Sequence, residues 1–265
     1  MKREENCWFY QEYFAGEKNY YWKGHSFVVM NCVIAKIREE LKASADEKTR
    51  GSFQRFFKEE VKYYGVKTGT VGKIARKYWN EVKSLDKGEV FSLCEVLYQS
   101  GYSEEAYVAS VWLPNLVEKF ELRDLKLFSR WIEKYVDDWA KCDTLCNHTI
   151  GNFIEKYPES ISELKTWAKS KNRWLKRAAA VSLILPARKG NFLRDVFEIS
   201  DTLLSDKDDM VQKGYGWLLK EASRKNQKQV LDYVLENKKK MGRTALRYAI
   251  ELMPKELKTE AMKRA

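Results

Sequence analysis

The sequence predicts an all-α protein, an α-α superhelix of the HEAT or armadillo kind. Apolar residues recur three or four apart beside charged faces along nearly the whole chain, and no convincing alternating strand segment interrupts them. Similar segments also recur at steps of 35, 36 and 31 residues when aligned on Trp139, Trp174, Met210 and Met241, slightly short of HEAT and armadillo periods. Stacked helix pairs would present a concave surface, and Lys and Arg on that surface would form a basic groove of DNA size.

The helical period is clearest over residues 33–41, 53–61 and 128–135, and each of these stretches is predicted to be a helix. Proline and glycine mark where helices begin and end. Pro158 and Pro254 lie near segment ends, and Pro186 begins or kinks a helix. Turn residues separate stretches of helical length at Lys87-Gly88, Ser100-Gly101, Lys189-Gly190 and Ser205-Asp206.

Residues 1–29 are unusually aromatic and lack an amphipathic period, as in Tyr20-Tyr-Trp22. We predict a helical cap over the first repeat, whose apolar face is otherwise open, with an appended segment ahead of Met30 as the alternative. The aromatic content argues against plain disorder. The helical-repeat domain is predicted to run over residues 30–265.

The composition indicates where such a protein acts. The 265 residues carry 49 Lys and Arg against 38 Asp and Glu, a net charge of +11, which favours a polyanionic partner, most often nucleic acid. No apolar run approaches a membrane span and no signal peptide is recognisable. Five cysteines at scattered spacings suit reduced thiols. We expect a cytoplasmic, monomeric protein without a cofactor.

Four side chains are predicted to converge across neighbouring repeats. Counted from each segment start, Trp139 stands at 0, Arg177 at +3, Asp143 at +4 and Trp217 at +7. These offsets share one face of an α-helix, and parallel stacking would bring the faces together. We expect the four residues to line one cleft, with Asp143 partly exposed and no cation occupying both of its carboxylate oxygens.

The same segments resemble the AlkD-like DNA alkylation repair proteins, which are helical-repeat DNA glycosylases. The resemblance runs from about Val33 to the C-terminus, and the segments occur in the family's order and at its distances. It is carried by Tyr64-Gly-Val-Lys-Thr68, Trp139-x3-Asp143-Thr-Leu-Cys146, Trp174-Leu-Lys-Arg-Ala-Ala-Ala180 and Gln212-Lys-x3-Trp217-Leu-Leu-Lys-Glu221.

The resemblance implies that Trp139, Asp143, Arg177 and Trp217 form the active site. It also implies that the damaged nucleotide is engaged from its backbone side rather than flipped. One departure is Ala140, where many members of the family carry an acidic residue.

The chemistry of the residues agrees with that implication. A purine alkylated at N3 or N7 is already cationic and leaves as a neutral base, so the reaction needs no strong acid. A carboxylate such as Asp143 can stabilise the oxocarbenium-like sugar and direct a water to its anomeric carbon. The indoles of Trp139 and Trp217 can face the cationic nucleotide, and Arg177 can hold a backbone phosphate.

Phosphate contacts are also expected from lysines in the motif segments. The predicted DNA-binding residues are Lys67, Lys73, Lys176, Lys213 and Lys220. Residues 65–72 are glycine-rich but lack the phosphate-loop pattern. Their backbone amides either hold a DNA phosphate or simply lead into a helix near Thr70.

Each assignment has a simpler alternative. An indole at helical spacing is usually a core residue, Asp143 could be the N-cap of a helix beginning at Thr144, and Arg177 could be an ordinary surface charge. A metal site at Cys142, Cys146 and His148 lacks a fourth ligand.

The leading hypothesis is a monofunctional DNA glycosylase that removes cationic alkylpurines from duplex DNA. The second is a catalytically silent helical-repeat protein that binds damaged or branched DNA, and the third is a scaffold for a protein partner.

Overall fold

The computed structural model describes residues 25–263, with side chains from Cys32 onward. Within that range the regular elements are all helical, and an isolated bridge between Lys62 and Tyr102 is the nearest approach to a sheet. The all-α prediction is therefore confirmed. None of these helices is both long and apolar enough to cross a membrane. The predicted cap lies outside the described residues except for residues 25–29, which belong to the first helix.

The described chain divides between Leu116 and Val117 into two compact units. The first unit contains five α-helices, with α3 packed on α1 and α5, and α4 packed on α5. The bounds are α1 His25–Ala43, α2 Glu47–Phe53, α3 Thr68–Val82, α4 Lys87–Gln99 and α5 Ser103–Trp112, with a short 3-10 segment at Gln54–Phe56. A second 3-10 segment, Leu113–Lys119, spans the division between the units.

Two buried carboxylates at the start of α5 hold the loop that precedes α3. Glu104 accepts the backbone N–H groups of Tyr64, Gly65 and Val66 at 3.1, 2.9 and 3.1 Å. Glu105 accepts the Tyr64 hydroxyl at 2.7 Å and also pairs with a guanidinium from α1. The first amides of the glycine-rich stretch therefore bind a carboxylate of the protein, and of the two alternatives the one in which they hold a DNA phosphate is wrong for residues 65 and 66.

The stretch 53–61 is not the continuous helix that its period predicted. The α-helix ends at Phe53, a 3-10 turn continues to Phe56, and the chain then extends. Phe57 and Val61 are buried, whereas Phe56 is 70% exposed. Here a turn and a loop bury apolar residues that are three or four apart in sequence. The spacing of apolar residues alone does not distinguish this arrangement from a helix.

The second unit contains the four aligned segments. Its helices are α6 Asp124–Tyr135, α7 Trp139–Leu145, α8 Gly151–Lys156, α9 Ile161–Ala168, α10 Arg173–Val181, α11 Ile184–Arg188, α12 Leu193–Leu203, α13 Asp209–Ala222, α14 Gln227–Asn237, α15 Arg243–Ala249 and α16 Lys255–Met262. A π-helical turn, Cys146–Ile150, joins α7 to α8, and a 3-10 turn, Pro158–Ser160, precedes α9.

Helices α7, α10, α13 and α15 pack one against the next in that order. Arg173, the first residue of α10, pairs with the N-cap of α13, Asp208. Farther along, Lys220 of α13 pairs with Glu251, just beyond the end of α15. The N-terminal ends of neighbouring helices lie together, and so do their C-terminal ends, so these helices are parallel. They begin within two residues of the positions on which the segments were aligned, and the repeat prediction is confirmed.

Gly216 allows α13 and α15 to approach closely. A Cβ atom at this position would lie 2.8 Å from the Ala245 carbonyl oxygen and 2.8 Å from Cβ of Tyr248. We expect Gly216→Ala to lower the free energy of unfolding by about 1–3 kcal/mol, because the backbone of α15 must shift. Urea unfolding measures this value. The control is Gly69→Ala in α3, where an added Cβ meets no atom within 4 Å, so equal losses in the two variants would contradict the argument.

Candidate active site

Helix α7 begins at Trp139 because the preceding residue caps it. The Asp138 carboxylate accepts the backbone N–H of Lys141 at 2.9 Å, which satisfies one of the free donors of the first turn. Asp143 therefore lies inside the helix, and the alternative that it caps a helix beginning at Thr144 is wrong. Trp139 and Asp143 are four residues apart and share one face of α7.

Asp143 and Arg177 form a buried, bidentate ion pair between α7 and α10. Nε of Arg177 donates to Oδ1 of Asp143 and Nη2 donates to Oδ2, both at 2.8 Å. The two side chains are only 11% and 6% exposed. The two residues meet as predicted from their positions on one helical face of neighbouring repeats. The planar guanidinium donates one hydrogen bond to each carboxylate oxygen.

The expected state of Asp143 is wrong on two points. Asp143 is buried rather than partly exposed, and a cation occupies both of its oxygens. The physical reason is that a carboxylate removed from water is costly unless it is paired, and Arg177 is the cation within reach. The sequence predicts that Arg177 holds a backbone phosphate. In this structure its guanidinium is instead occupied by Asp143.

Burial and the pair with Arg177 act in opposite directions on the protonation of Asp143. Burial raises the pKa of this carboxyl above its ordinary value of 3.8, and the charge and hydrogen bonds of Arg177 oppose the shift. Removal of the guanidinium would leave burial unopposed. Arg177 is therefore the group that favours the ionised form of Asp143.

Gly214 is a residue of this site that the sequence analysis missed. Arg177 makes a third hydrogen bond, from Nη1 to the Met210 carbonyl oxygen at 2.6 Å, which ties it to α13. A Cβ atom on Gly214 would lie 3.3 Å from Cγ of Arg177, so the glycine gives the arginine room. A glycine inside a helix that carries motif residues was the available signal.

The tryptophans of the motifs differ in burial. Trp174 is a core residue at 6% exposure, with the Arg173 guanidinium 5.1 Å from its ring centre. Trp139 and Trp217 are both intermediate in exposure. Trp217 lies three residues beyond Gly214, on the face of α13 that meets Arg177. Two partly exposed indoles thus stand on the helices on either side of α10.

The lysines predicted to contact DNA have different surroundings. Lys67 and Lys73, at the start of α3, are exposed. The other three form ion pairs with carboxylates: Lys176 with Asp206, Lys213 with Asp209 at 2.9 Å, and Lys220 with Glu251 at 2.7 Å. Their role as phosphate ligands stays a prediction, and it would require each to leave an acidic partner.

The thiols of α7 and the π-helical turn after it are poorly placed to bind a metal or act as nucleophiles. Cys142 and Cys146 are buried, and the Cys142 thiol donates to the Trp174 carbonyl oxygen at 3.7 Å. Burial raises the pKa of Cys142 well above its ordinary value. His148 is exposed. Across the described side chains no three Cys, His, Asp or Glu residues are grouped as a metal site would require.

Comparisons with known proteins agree with the fold. A model of the family described as DNA alkylation repair enzyme matches residues 37–253. A predicted DNA alkylation repair enzyme from Enterococcus faecalis is similar in structure, with a TM-score of 0.72 and 17% identity over 80% of this chain and 98% of that one. The Streptococcus mutans protein smu.31 gives a TM-score of 0.55 and 20% identity over 88% and 98%.

A third structure is more distant. It is the alkylpurine DNA glycosylase AlkC of Pseudomonas fluorescens bound to DNA with an abasic site analogue, with a TM-score of 0.47 and 15% identity over 87% of this chain and 65% of that one. This score is too low to carry an argument, and the other two show the fold alone. No curated protein matches the chain in sequence.

Proposed function

The chain belongs to the DNA alkylation repair enzyme family, and we propose from this that it is a monofunctional DNA glycosylase. Its substrate would be duplex DNA that carries a cationic purine alkylated at N3 or N7. The observation that supports the proposal is the Asp143 carboxylate, which pairs with Arg177 between α7 and α10, with one partly exposed indole on α7 and another on α13.

The reaction needs little from the protein. As the N-glycosidic bond breaks, its electron pair moves to the alkylated ring and neutralises it, so the base leaves without an acid. Positive charge grows on the sugar as the bond breaks, and water then adds to the anomeric carbon and releases a proton to the solvent. Asp143 would stabilise the growing charge and accept a hydrogen bond from that water.

The ion pair leaves hydrogen-bond acceptor positions of Asp143 free for this role. A carboxylate has about four acceptor positions, and Arg177 uses one on each oxygen of Asp143. The remaining positions can accept from a water at the exposed margin of the side chain. Trp139 and Trp217 would offer electron-rich faces to the cationic nucleotide.

A second function is favoured by a specific observation. Both oxygens of Asp143 are engaged and the residue is buried, as expected of a purely structural ion pair. On that basis the protein would be a catalytically silent helical-repeat protein that binds damaged or branched DNA.

One assay separates these functions. The protein is incubated in excess with a duplex that carries a single 7-methylguanine, and free base is measured over time against the same duplex without protein. Release of the base with the strand intact until alkali is added supports the monofunctional glycosylase. Binding of the duplex with no release above the protein-free rate supports the silent protein, and absence of binding contradicts both.

The pH dependence tests the role of Asp143. The ionised carboxylate is the active form and burial raises its pKa, so the single-turnover rate should fall as pH is lowered through a value above 3.8. Arg177→Lys, which loses the fork, should move this fall to higher pH. The control Arg173→Gln removes the pair with Asp208 instead and should leave the profile in place. A profile that is flat down to pH 3.8 would contradict the assignment.

A further inference from the structure

Exposed lysines recur in the loops that precede the parallel helices of the second unit. Lys169 and Lys171 precede α10, Lys207 precedes α13, and Lys239 and Lys240 precede α15. Because α10, α13 and α15 are parallel, these loops lie along one edge of the stack. We call residues 169–172, 206–208 and 238–242 the N-terminal edge.

The positive charge of this edge is not compensated. Its two acidic residues are already engaged, Asp206 by Lys176 and Asp208 by Arg173. None of the five exposed lysines forms an ion pair with any residue that the structure describes. The loop before α7 differs, since it holds Asp137 and Asp138, which pair with Lys141. Positive charge therefore begins at α10 and is densest before α15.

The helix-borne lysines stand in contrast. Lys176, Lys213 and Lys220 each have a carboxylate partner, which a phosphate would have to replace. When a lysine of the N-terminal edge binds a phosphate, it gives up only bound water and a mobile counterion. Its binding free energy is therefore not reduced by the loss of a protein ion pair.

We propose that the N-terminal edge holds the phosphate backbone of duplex DNA, an inference that rests on the proposed function. A polyanion with evenly spaced charges fits cations that recur before three successive parallel helices, α10, α13 and α15, where neighbouring axes lie about 8–10 Å apart. Lysine on a flexible stem suits contacts that need charge but no fixed geometry. Trp139 begins α7 at the same end of the stack, so the backbone would run toward the candidate active site.

The test compares two triple variants of equal charge. The first removes one cation from each loop of the edge: Lys171→Gln, Lys207→Gln and Lys239→Gln. The second removes exposed lysines elsewhere in the second unit, on α6, beyond the far end of α13 and on α16: Lys126→Gln, Lys225→Gln and Lys255→Gln. Binding to an undamaged duplex is measured at several salt concentrations, after circular dichroism has shown that both variants are folded.

In the edge variant, the binding constant should depend less steeply on salt than in the unmodified protein. Each phosphate contact contributes about 0.9 to the slope of log K against log salt, so three lost contacts should lower the slope by about 2.7. The control variant should keep the slope of the unmodified protein. Equal slopes and affinities in the two variants would overturn the proposal, as would a selective loss of binding to vesicles of anionic lipid while duplex binding is kept.

This failure differs from failure of the proposed function. If the unmodified protein releases 7-methylguanine but the edge variant binds duplex as the control does, only the edge assignment is lost. If the unmodified protein releases no base, the glycosylase proposal fails, whichever lysines hold the DNA.

Discussion

Asp143→Asn should lower the single-turnover rate of 7-methylguanine release by about 100-fold or more, the usual loss when one well-placed electrostatic group is removed from an active site. Asparagine keeps the shape of the side chain and removes the charge that would stabilise the sugar cation. DNA affinity should hold or rise slightly, because a carboxylate near phosphates repels them. The loss would then fall on the chemical step rather than on binding.

A matched control for this variant lies at the start of α13, two helices along the row. Asp208→Asn removes a carboxylate that pairs with Arg173 as Asp143 pairs with Arg177, and asparagine remains a good N-cap for α13. Its excision rate should stay within about twofold of the unmodified rate, because the predicted chemistry does not use Asp208. If Asp143→Asn released base at the unmodified rate in folded protein, Asp143 would be structural and the silent DNA-binding function would be favoured.

Arg177→Met should lower the free energy of unfolding by about 3–5 kcal/mol, since it leaves the buried Asp143 without its cation. The double variant Asp143→Asn, Arg177→Met should recover most of that loss, because no buried charge then remains unpaired. Urea unfolding of the two single variants and the double variant measures the coupling between the residues.

The control for stability is Arg173→Met in the same helix. Arg173 and Asp208 are 38% and 25% exposed, so their pair contributes about 0–1 kcal/mol. If the Asp143 and Arg177 variants were simply additive, or if Arg173→Met cost as much as Arg177→Met, the account of Asp143 and Arg177 as a buried, coupled pair would be wrong.

Much of the fold follows from sequence periodicity, because the period of apolar residues reports which face of a helix is buried. It gave the parallel helices α7, α10, α13 and α15 and the meeting of Asp143 with Arg177. It could not show how closely the helices approach. The close contact of Arg177 with α13 depends on the absence of a side chain at Gly214.

The errors have the same origin. The stretch 53–61 has helical spacing, yet its buried residues are held by a turn, since a loop that packs on a core produces the same apolar pattern. In the sequence, the backbone amides of Gly65 and Val66 are available to a phosphate. In the structure they donate to Glu104, which is distant in sequence. Local spacing carries no information about such distant partners.

The glycines of α13 have a consequence for the whole row of helices. Gly214 admits the Arg177 side chain of α10 on one side of α13, and Gly216 admits the backbone of α15 on another. The spacing from α10 through α13 to α15 therefore depends on these two glycines. A larger residue at either position would increase the distance between the loops that precede α10 and α15. The lysines of those loops would then no longer match the regular spacing of phosphates along a DNA strand.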